Sequence, residues 1–235
     1  MTQAIQAVLF DCDGVLVDSE VVGLEASARF LRGHGFDWGP QDLVRRFTGM
    51  RQDRFADALT AAYAEVLGRA PDADEAATLM DGLIAARRAE RDTMRTVPGA
   101  EAAARAAKAA GHRLAVASSS AQHFLDDKID RFGLRDVFGE HVYSADHVAR
   151  GKPAPDIFLF AAGKLGAENA ACLVIEDSRH GVVAARAAGM TVWGFSGGGH
   201  CLDGHDEALM KAGASRVFNG HKALTDALSE NLTLL

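Results

Sequence analysis

At 235 residues the chain is long enough to bury a substantial hydrophobic centre, as one large domain or as a core with a modest insertion. With 48% hydrophobic and 24% charged residues it has the balance of a soluble globule, and a net charge of -7 argues against nucleic acid or an anionic membrane as partner, leaving a small molecule. Cys12, Cys172 and Cys201 are odd in number and widely scattered, without the pairs that a disulfide framework or zinc knuckle would need, so a reducing compartment is expected.

Residues 1–6 lack the basic start and long apolar run of a signal peptide, and no stretch of about 18 apolar residues occurs, so the cytoplasm is the expected location. Ala7 to Phe10 is an unbroken apolar run, the pattern of a strand covered on both faces, and it gives way to Asp11-Cys12-Asp13-Gly14. The two carboxylates stand two positions apart where the strand runs out, a place suited to a metal and a reactive oxygen, and Gly14 permits a sharp turn over them. Cys12 alternates away from both and reads as a small buried residue.

From Ser19 to Gly33 the period changes. Val21, Val22, Leu24, Ala28 and Leu31 fall at helical spacing among Glu20, Glu25, Arg29 and Arg32, which predicts an amphipathic helix. Gly33, Gly35 and Gly39-Pro40 break it, and a second helix is predicted from about Gln41 to Phe47. After Thr48-Gly49-Met50-Arg51 come two longer helical patterns, Gln52 to Leu67 and Asp72 to about Thr93, the second opened by Pro71-Asp72. No strand is predicted between Asp18 and Thr93.

Beyond Val97-Pro98-Gly99 helix and strand alternate. Ala100 to Ala110 is a helix stopped by Gly111, followed by a strand over Arg113 to Ala117. Helices are predicted over 120–132, 156–165, 181–188, 206–212 and 222–228, with strands over 142–144, 172–175, 190–195 and 216–218 between them. This alternation predicts an α/β fold: a Rossmann-like, three-layer core with a parallel sheet and helices on both faces. The first strand belongs to that sheet by character, yet a purely helical stretch separates it from the rest, far longer than a connection needs. The expected organisation is therefore a discontinuous core, 1–17 and 96–235, with an inserted α-helical cap, 18–95.

In open α/β sheets ligands bind beyond the carboxyl ends of the strands. Asp11 and Asp13 end the first strand, Ser118-Ser119-Ser120 the second, Gly151-Lys152-Pro153 follows the third, and Glu176-Asp177 ends the fourth, so every polar cluster falls on one edge. By themselves, Glu176-Asp177 fits a helix-capping pair as well as a metal site, the serine run fits an N-cap as well as a phosphate cradle, and Gly-Lys-Pro-Ala-Pro reads as a solvated loop. No Gly-x-x-x-x-Gly-Lys-Ser/Thr stretch is present, which argues against a nucleotide P-loop.

Taken in order, the four clusters resemble the motifs of the haloacid dehalogenase superfamily, and within it the helical-cap subgroup that contains phosphoglycolate phosphatase and β-phosphoglucomutase. The resemblance implies phosphoryl transfer. Asp11 would be the nucleophile that forms an aspartyl-phosphate, Asp13 the acid and base for the leaving oxygen and the water, and Lys152 the charge between nucleophile and phosphate. Ser118, Ser119 and Ser120 would hold phosphate oxygens. Mg²⁺ would be held by Asp11, the Asp13 carbonyl and Asp177, with Glu176 direct or through water.

Asp13 argues against a dehalogenase, because halide needs no proton to leave and a phosphate ester does. Mutases of the β-phosphoglucomutase type carry a histidine twelve positions after the nucleophile, where this chain has Gly23, and Arg51 sits one position earlier than their cap arginine. The cap holds no lysine for a phosphonatase Schiff base. The expectation is a phosphatase of a small phosphorylated metabolite, a sugar or sugar-acid phosphate, with a mutase as the alternative. Arg51 and Gln52 are cap-loop candidates for the distal part of the substrate or, equally, an exposed helix start. A monomer or weak homodimer is expected. His200, Cys201 and His205, after three glycines, read as polar loop residues rather than a zinc site.

Overall fold

A computed structural model describes residues 3–47, 52–229 and 233–234. The chain divides into two compact units, Met1–Ser19 with Arg95–Leu235, and Glu20–Met94. The first opens with a short β1 (Gln3–Ala4) and then β2 (Ala7–Phe10), whose four side chains are fully buried.

Among its described residues the second unit holds helices and no strand: α1 (Leu24–Arg32), α2 (Pro40–Phe47), α3 (Gln52–Leu67) and α4 (Ala73–Ala89), then a short 3₁₀ turn at Arg91–Thr93. The first helix starts later than its hydrophobic pattern suggests, because Gly23 takes φ 69, a left-handed conformation outside a right-handed helix. Ala28, Leu31, Phe36, Leu43, Leu59, Leu79 and Leu83 form a buried cluster, with Trp38, Phe47, Phe55 and Tyr63 packed against it. Complete burial of each aliphatic side chain contributes about 1.5–3 kcal/mol, which gives this unit a core of its own.

The alternating region begins with α5 (Ala100–Ala109), β3 (Arg113–Ser118), α6 (Gln122–Arg131), α7 (Arg135–Phe138) and β4 (Val142–Ser144). It continues through α8 (Asp156–Leu165), β5 (Cys172–Glu176), α9 (Arg179–Ala187), β6 (Thr191–Phe195), α10 (His205–Ala212), β7 (Arg216–Phe218), α11 (His221–Leu228) and β8 (Thr233–Leu234). Six strands make one parallel sheet in the order β4-β3-β2-β5-β6-β7, and β1 pairs antiparallel with β8 apart from it.

Helices cover both faces, as the unbroken apolar strands require. Ala7 and Leu9 join Ala115, Ala117, Val174 and Val192 in a core packed by α8, α9 and α10. Phe10 points the other way and meets Phe138 of α7 edge-on, with ring centroids 5.7 Å apart. The predicted α/β architecture with a parallel sheet is the one observed. Among the described residues no helix is long and apolar enough to cross a membrane.

Candidate active site

Because β2 lies between β3 and β5, the residues that follow it stand at the middle of the sheet's carboxyl edge. Asp11 is nearly fully buried there, its amide bonded to the Ile175 carbonyl at 2.9 Å. Gly14 turns the chain with φ 79, and a Cβ on it would stand 1.9 Å from Asp177 Oδ2, so both conformation and space require glycine. The amide of Gly14 donates to the Val17 carbonyl at 2.7 Å and closes the turn.

Lys152 arrives on the loop between β4 and α8, preceding a cis Lys152–Pro153 bond. Its ammonium, only 4% exposed, donates to Asp11 Oδ1 at 2.5 Å, Glu176 Oε1 at 2.7 Å and the Ala117 carbonyl at 3.0 Å. Burial opposes that charge, but Asp11 and Glu176 outweigh it and hold the lysine above its ordinary range. For Asp11 burial is the larger influence and pushes the carboxyl well above the usual carboxylate range; Lys152 opposes this, and Glu176, Asp177 and Asp13 add to it.

The carboxylates of Asp11, Glu176 and Asp177 are all buried, with one oxygen from each within 4.8 Å of the others. Oxygen donors alone, and three carboxylates against one ammonium, fit a hard divalent cation. Glu176 is further fixed by Ser178, whose amide and hydroxyl donate to Oε2 at 2.7 and 2.9 Å, while the same hydroxyl accepts from the Gly181 amide and caps α9. The N-cap of α9 is thus Ser178 and not the Glu176-Asp177 pair, whose carboxylates are turned to the buried acidic cluster instead.

Asp13 faces a different set. Its carboxylate accepts from Ser120 Oγ at 2.7 Å, Ser118 Oγ at 3.4 Å, Ser19 Oγ and Lys128 Nζ. Burial opposes ionisation of Asp13, but Lys128 and the hydroxyl donors prevail and hold the carboxyl below its ordinary value. Two carboxylates two residues apart thus sit in opposite environments, one beside the acidic cluster and one among donors. Such a division is how a site assigns separate roles to like groups.

Ser118 and Ser120 are brought to Asp13, whereas Ser119 is exposed. Arg51 lies outside the described residues, and of Gln52 only its place at the start of α3 is described. Lys128 was not anticipated by the sequence reading. It stands three residues after Leu125 and one before Ile129, so a cation falls on the apolar stripe of α6, a signal that was available.

A family model described as haloacid dehalogenase-like hydrolase matches residues 5–189. The chain is 32% identical over 187 residues to hexitol phosphatase B of Escherichia coli (strain K12), covering 79% of this chain and 81% of that protein. It is 31% identical over 219 residues to the phosphorylated carbohydrates phosphatase of Thermotoga maritima, covering 89% and 92%. The crystal structure of a HAD family hydrolase from Deinococcus radiodurans R1, with bound phosphate and sodium, matches with a TM-score of 0.82 and 35% identity, covering 97% of this chain and 96% of that one. The acidic, serine and lysine clusters gathered at one sheet edge accord with these matches, and the chain belongs to the haloacid dehalogenase-like hydrolase family.

Proposed function

We propose that the protein is a Mg²⁺-dependent phosphatase that hydrolyses a small phosphorylated carbohydrate or sugar acid through a phosphorylated Asp11. The observation that carries this reading is the opposed environment of the two aspartates: Asp11 beside Lys152 and the acidic cluster, Asp13 among Ser19, Ser118, Ser120 and Lys128. The named activities of the two carbohydrate-phosphate relatives support the substrate class.

Asp11, Glu176 and Asp177 would hold the cation, which supplies positive charge to offset the repulsion between phosphate and nucleophile. An oxygen of Asp11 attacks phosphorus, the P–O bond to the alcohol breaks, and Asp13 gives its proton to the departing oxygen. Arrival of a phosphate dianion beside Asp13 raises that carboxyl's proton affinity and so loads it for this step. Asp13 then removes a proton from the water that attacks the phosphorylated Asp11, which releases inorganic phosphate, restores the Asp11 carboxylate and returns Asp13 to its protonated form. Lys152 spreads the charge that builds on the transferring oxygens, and Ser118 with Ser120 orients Asp13. The helices of residues 20–94 would choose the substrate, as the family resemblance implies.

A mutase reading loses ground at Gly23. Where those enzymes place a histidine, this chain has φ 69, and a Cβ would stand 2.7 Å from the Arg87 backbone. The position serves the packing of α1 on α4 and leaves no room for a side chain. Incubation with a sugar 1-phosphate should therefore yield free phosphate and no sugar 6-phosphate. Asp11→Asn should lower Mg²⁺-dependent phosphate release at least ~10³-fold; wild-type activity in that variant would overturn the proposal.

A further inference from the structure

The loop between β6 and α10 carries Gly197-Gly198-Gly199-His200-Cys201, and α10 begins at His205. In the fold these scattered polar residues converge: one ligand atom from each of His200, Cys201 and His205 lies within 4.8 Å of the other two. His200 is 4% exposed, and Cys201 and His205 are half-buried. Cys201 Sγ stands 3.6 Å from His200 Nε2. A tetrahedral zinc with bonds of about 2.0 Å to nitrogen and 2.3 Å to sulfur sets those two donors about 3.5 Å apart.

The second imidazole is already oriented. His205 Nε2 donates to the Asp177 carbonyl at 2.6 Å. A carbonyl only accepts, so the proton is on Nε2 and the lone pair on Nδ1, the arrangement in which a ligating histidine is usually held by a backbone oxygen. The His200 and His205 rings stand almost perpendicular, with centroids 5.7 Å apart, and so approach from different directions. Asp177 Oδ2 lies 3.0 Å from His200 Nε2, close to the nitrogen-to-oxygen edge of about 3.3 Å in a tetrahedral site. Among buried atoms, His200 Nδ1 has no hydrogen-bond partner, so no hydrogen bond at that nitrogen fixes the ring's orientation.

We propose that His200, Cys201 and His205 form a binding site for a soft divalent cation of the zinc class, completed by the Asp177 carboxylate. Two imidazoles and a thiolate are poor donors for Mg²⁺ and good ones for zinc, so the two neighbouring clusters sort cations by softness. Asp177 belongs to both. Filling the soft site therefore draws on a carboxylate of the hard site, and the two cations weaken each other's binding by the same factor. This last consequence rests on the reading of Asp177 as a Mg²⁺ ligand; the soft site itself does not.

The test is a titration of the full, metal-free chain with Co²⁺, which reports thiolate ligation by near-ultraviolet charge transfer and tetrahedral geometry by visible ligand-field bands. One Co²⁺ per chain with both signals is expected, displaced by Zn²⁺. Cys201→Ser should abolish the charge-transfer band while retaining Mg²⁺-dependent phosphate release in zinc-free buffer, and His205→Gln should weaken binding at least ~10-fold. Absence of the band in the wild type, or its survival in Cys201→Ser, would overturn the site. Saturating Mg²⁺ should weaken Co²⁺ binding several-fold, and an unchanged affinity would remove Asp177 from it. The spectra do not depend on turnover, so a chain that binds Co²⁺ but releases no phosphate would refute the phosphatase reading alone.

Discussion

Lys128 is a charged residue on the inner stripe of α6, and Asp13 is the reason it is tolerated there. Its ammonium also donates to Ser120 Oγ at 3.0 Å, so one cation organises both the carboxylate and a hydroxyl that orients it. Lys128→Met keeps the volume and removes the charge, leaving Asp13 with hydroxyl donors only. We expect kcat to fall about 10²-fold with a smaller change in KM, and stability to fall by about 2 kcal/mol, less than the ~3–5 kcal/mol for breaking a fully buried pair because both side chains retain some solvent access. Steady-state kinetics and thermal unfolding of the same variant check the two parts. Gly181 offers a sharper contrast. Alanine there would gain about 1 kcal/mol of helix propensity in α9, but its Cβ would stand 1.7 Å from Glu176 Oε1, a carboxylate already fixed by Lys152 and Ser178. Displacement of Glu176 should win, so Gly181→Ala lowers Mg²⁺-dependent kcat at least ~10-fold while the far-ultraviolet circular dichroism stays unchanged. At this scale the strand-end residues were legible because position along a parallel sheet determines the edge they reach. Lys128 was only half legible: its place on the apolar stripe of α6 marks it as unusual, but its partner Asp13 is distant in sequence and no local pattern names it.

Single elements were read well where a backbone rule acts locally. Asp72 was recognised as a helix start, and α4 begins with a complete capping box: Glu75 N donates to Asp72 Oδ1 at 2.8 Å and Asp72 N donates to Glu75 Oε2 at 2.9 Å. Arg69 adds a bidentate pair to Glu75 at 2.6 and 2.7 Å. These hydrogen bonds, with that from Arg69 the largest influence, hold Glu75 at about 2 against 4.5 for the free side chain. A depressed folded value means stabilisation that is complete above about pH 4.5 and is lost as the pH falls towards 2. The protection of α4's first-turn amides relative to Glu75→Gln should therefore be present at pH 6 and vanish by about pH 2, as hydrogen exchange would show. Gly82, in the middle of the same helix, has the opposite logic to an ordinary helical glycine, since a Cβ would meet the Phe30 ring of α1 at 2.3 Å. Gly82→Ala should lower the melting temperature of the helical unit despite better propensity, because overpacking costs about 1–3 kcal/mol and the propensity gain is about 1. The late start of α1 and the short α7 escaped the hydrophobic pattern: the first depends on a left-handed glycine, and the second is too short for any period to show.

At the scale of the molecule, the alternation of helix and strand was enough to name the architecture, since each crossover in a parallel sheet writes its period into the chain. The pairing of β1 with β8 was invisible, being two residues against two from opposite ends. The point where the chain leaves the sheet-bearing unit is tied to the point where it returns. Asp18 N donates to the Arg95 carbonyl at 2.9 Å, Val97 N donates to the Leu16 carbonyl at 3.0 Å, and Val17 bridges antiparallel to Thr96. Joining residue 19 to residue 95 through a few glycines should thus leave a cooperatively folding protein with the sheet intact, measured by a single thermal transition. Its kcat/KM for the best metabolite should fall well below that of the whole chain; equal rates would show that residues 20–94 take no part in turnover.

That pair of bridged segments makes the two chain ends of the insertion behave as a socket. Whatever is plugged between Asp18 and Arg95 meets two ends already held side by side, so its length matters little to the closure entropy of the remaining fold. A lineage could therefore trade one insert for another while the aspartates and lysine at the sheet edge are inherited unchanged.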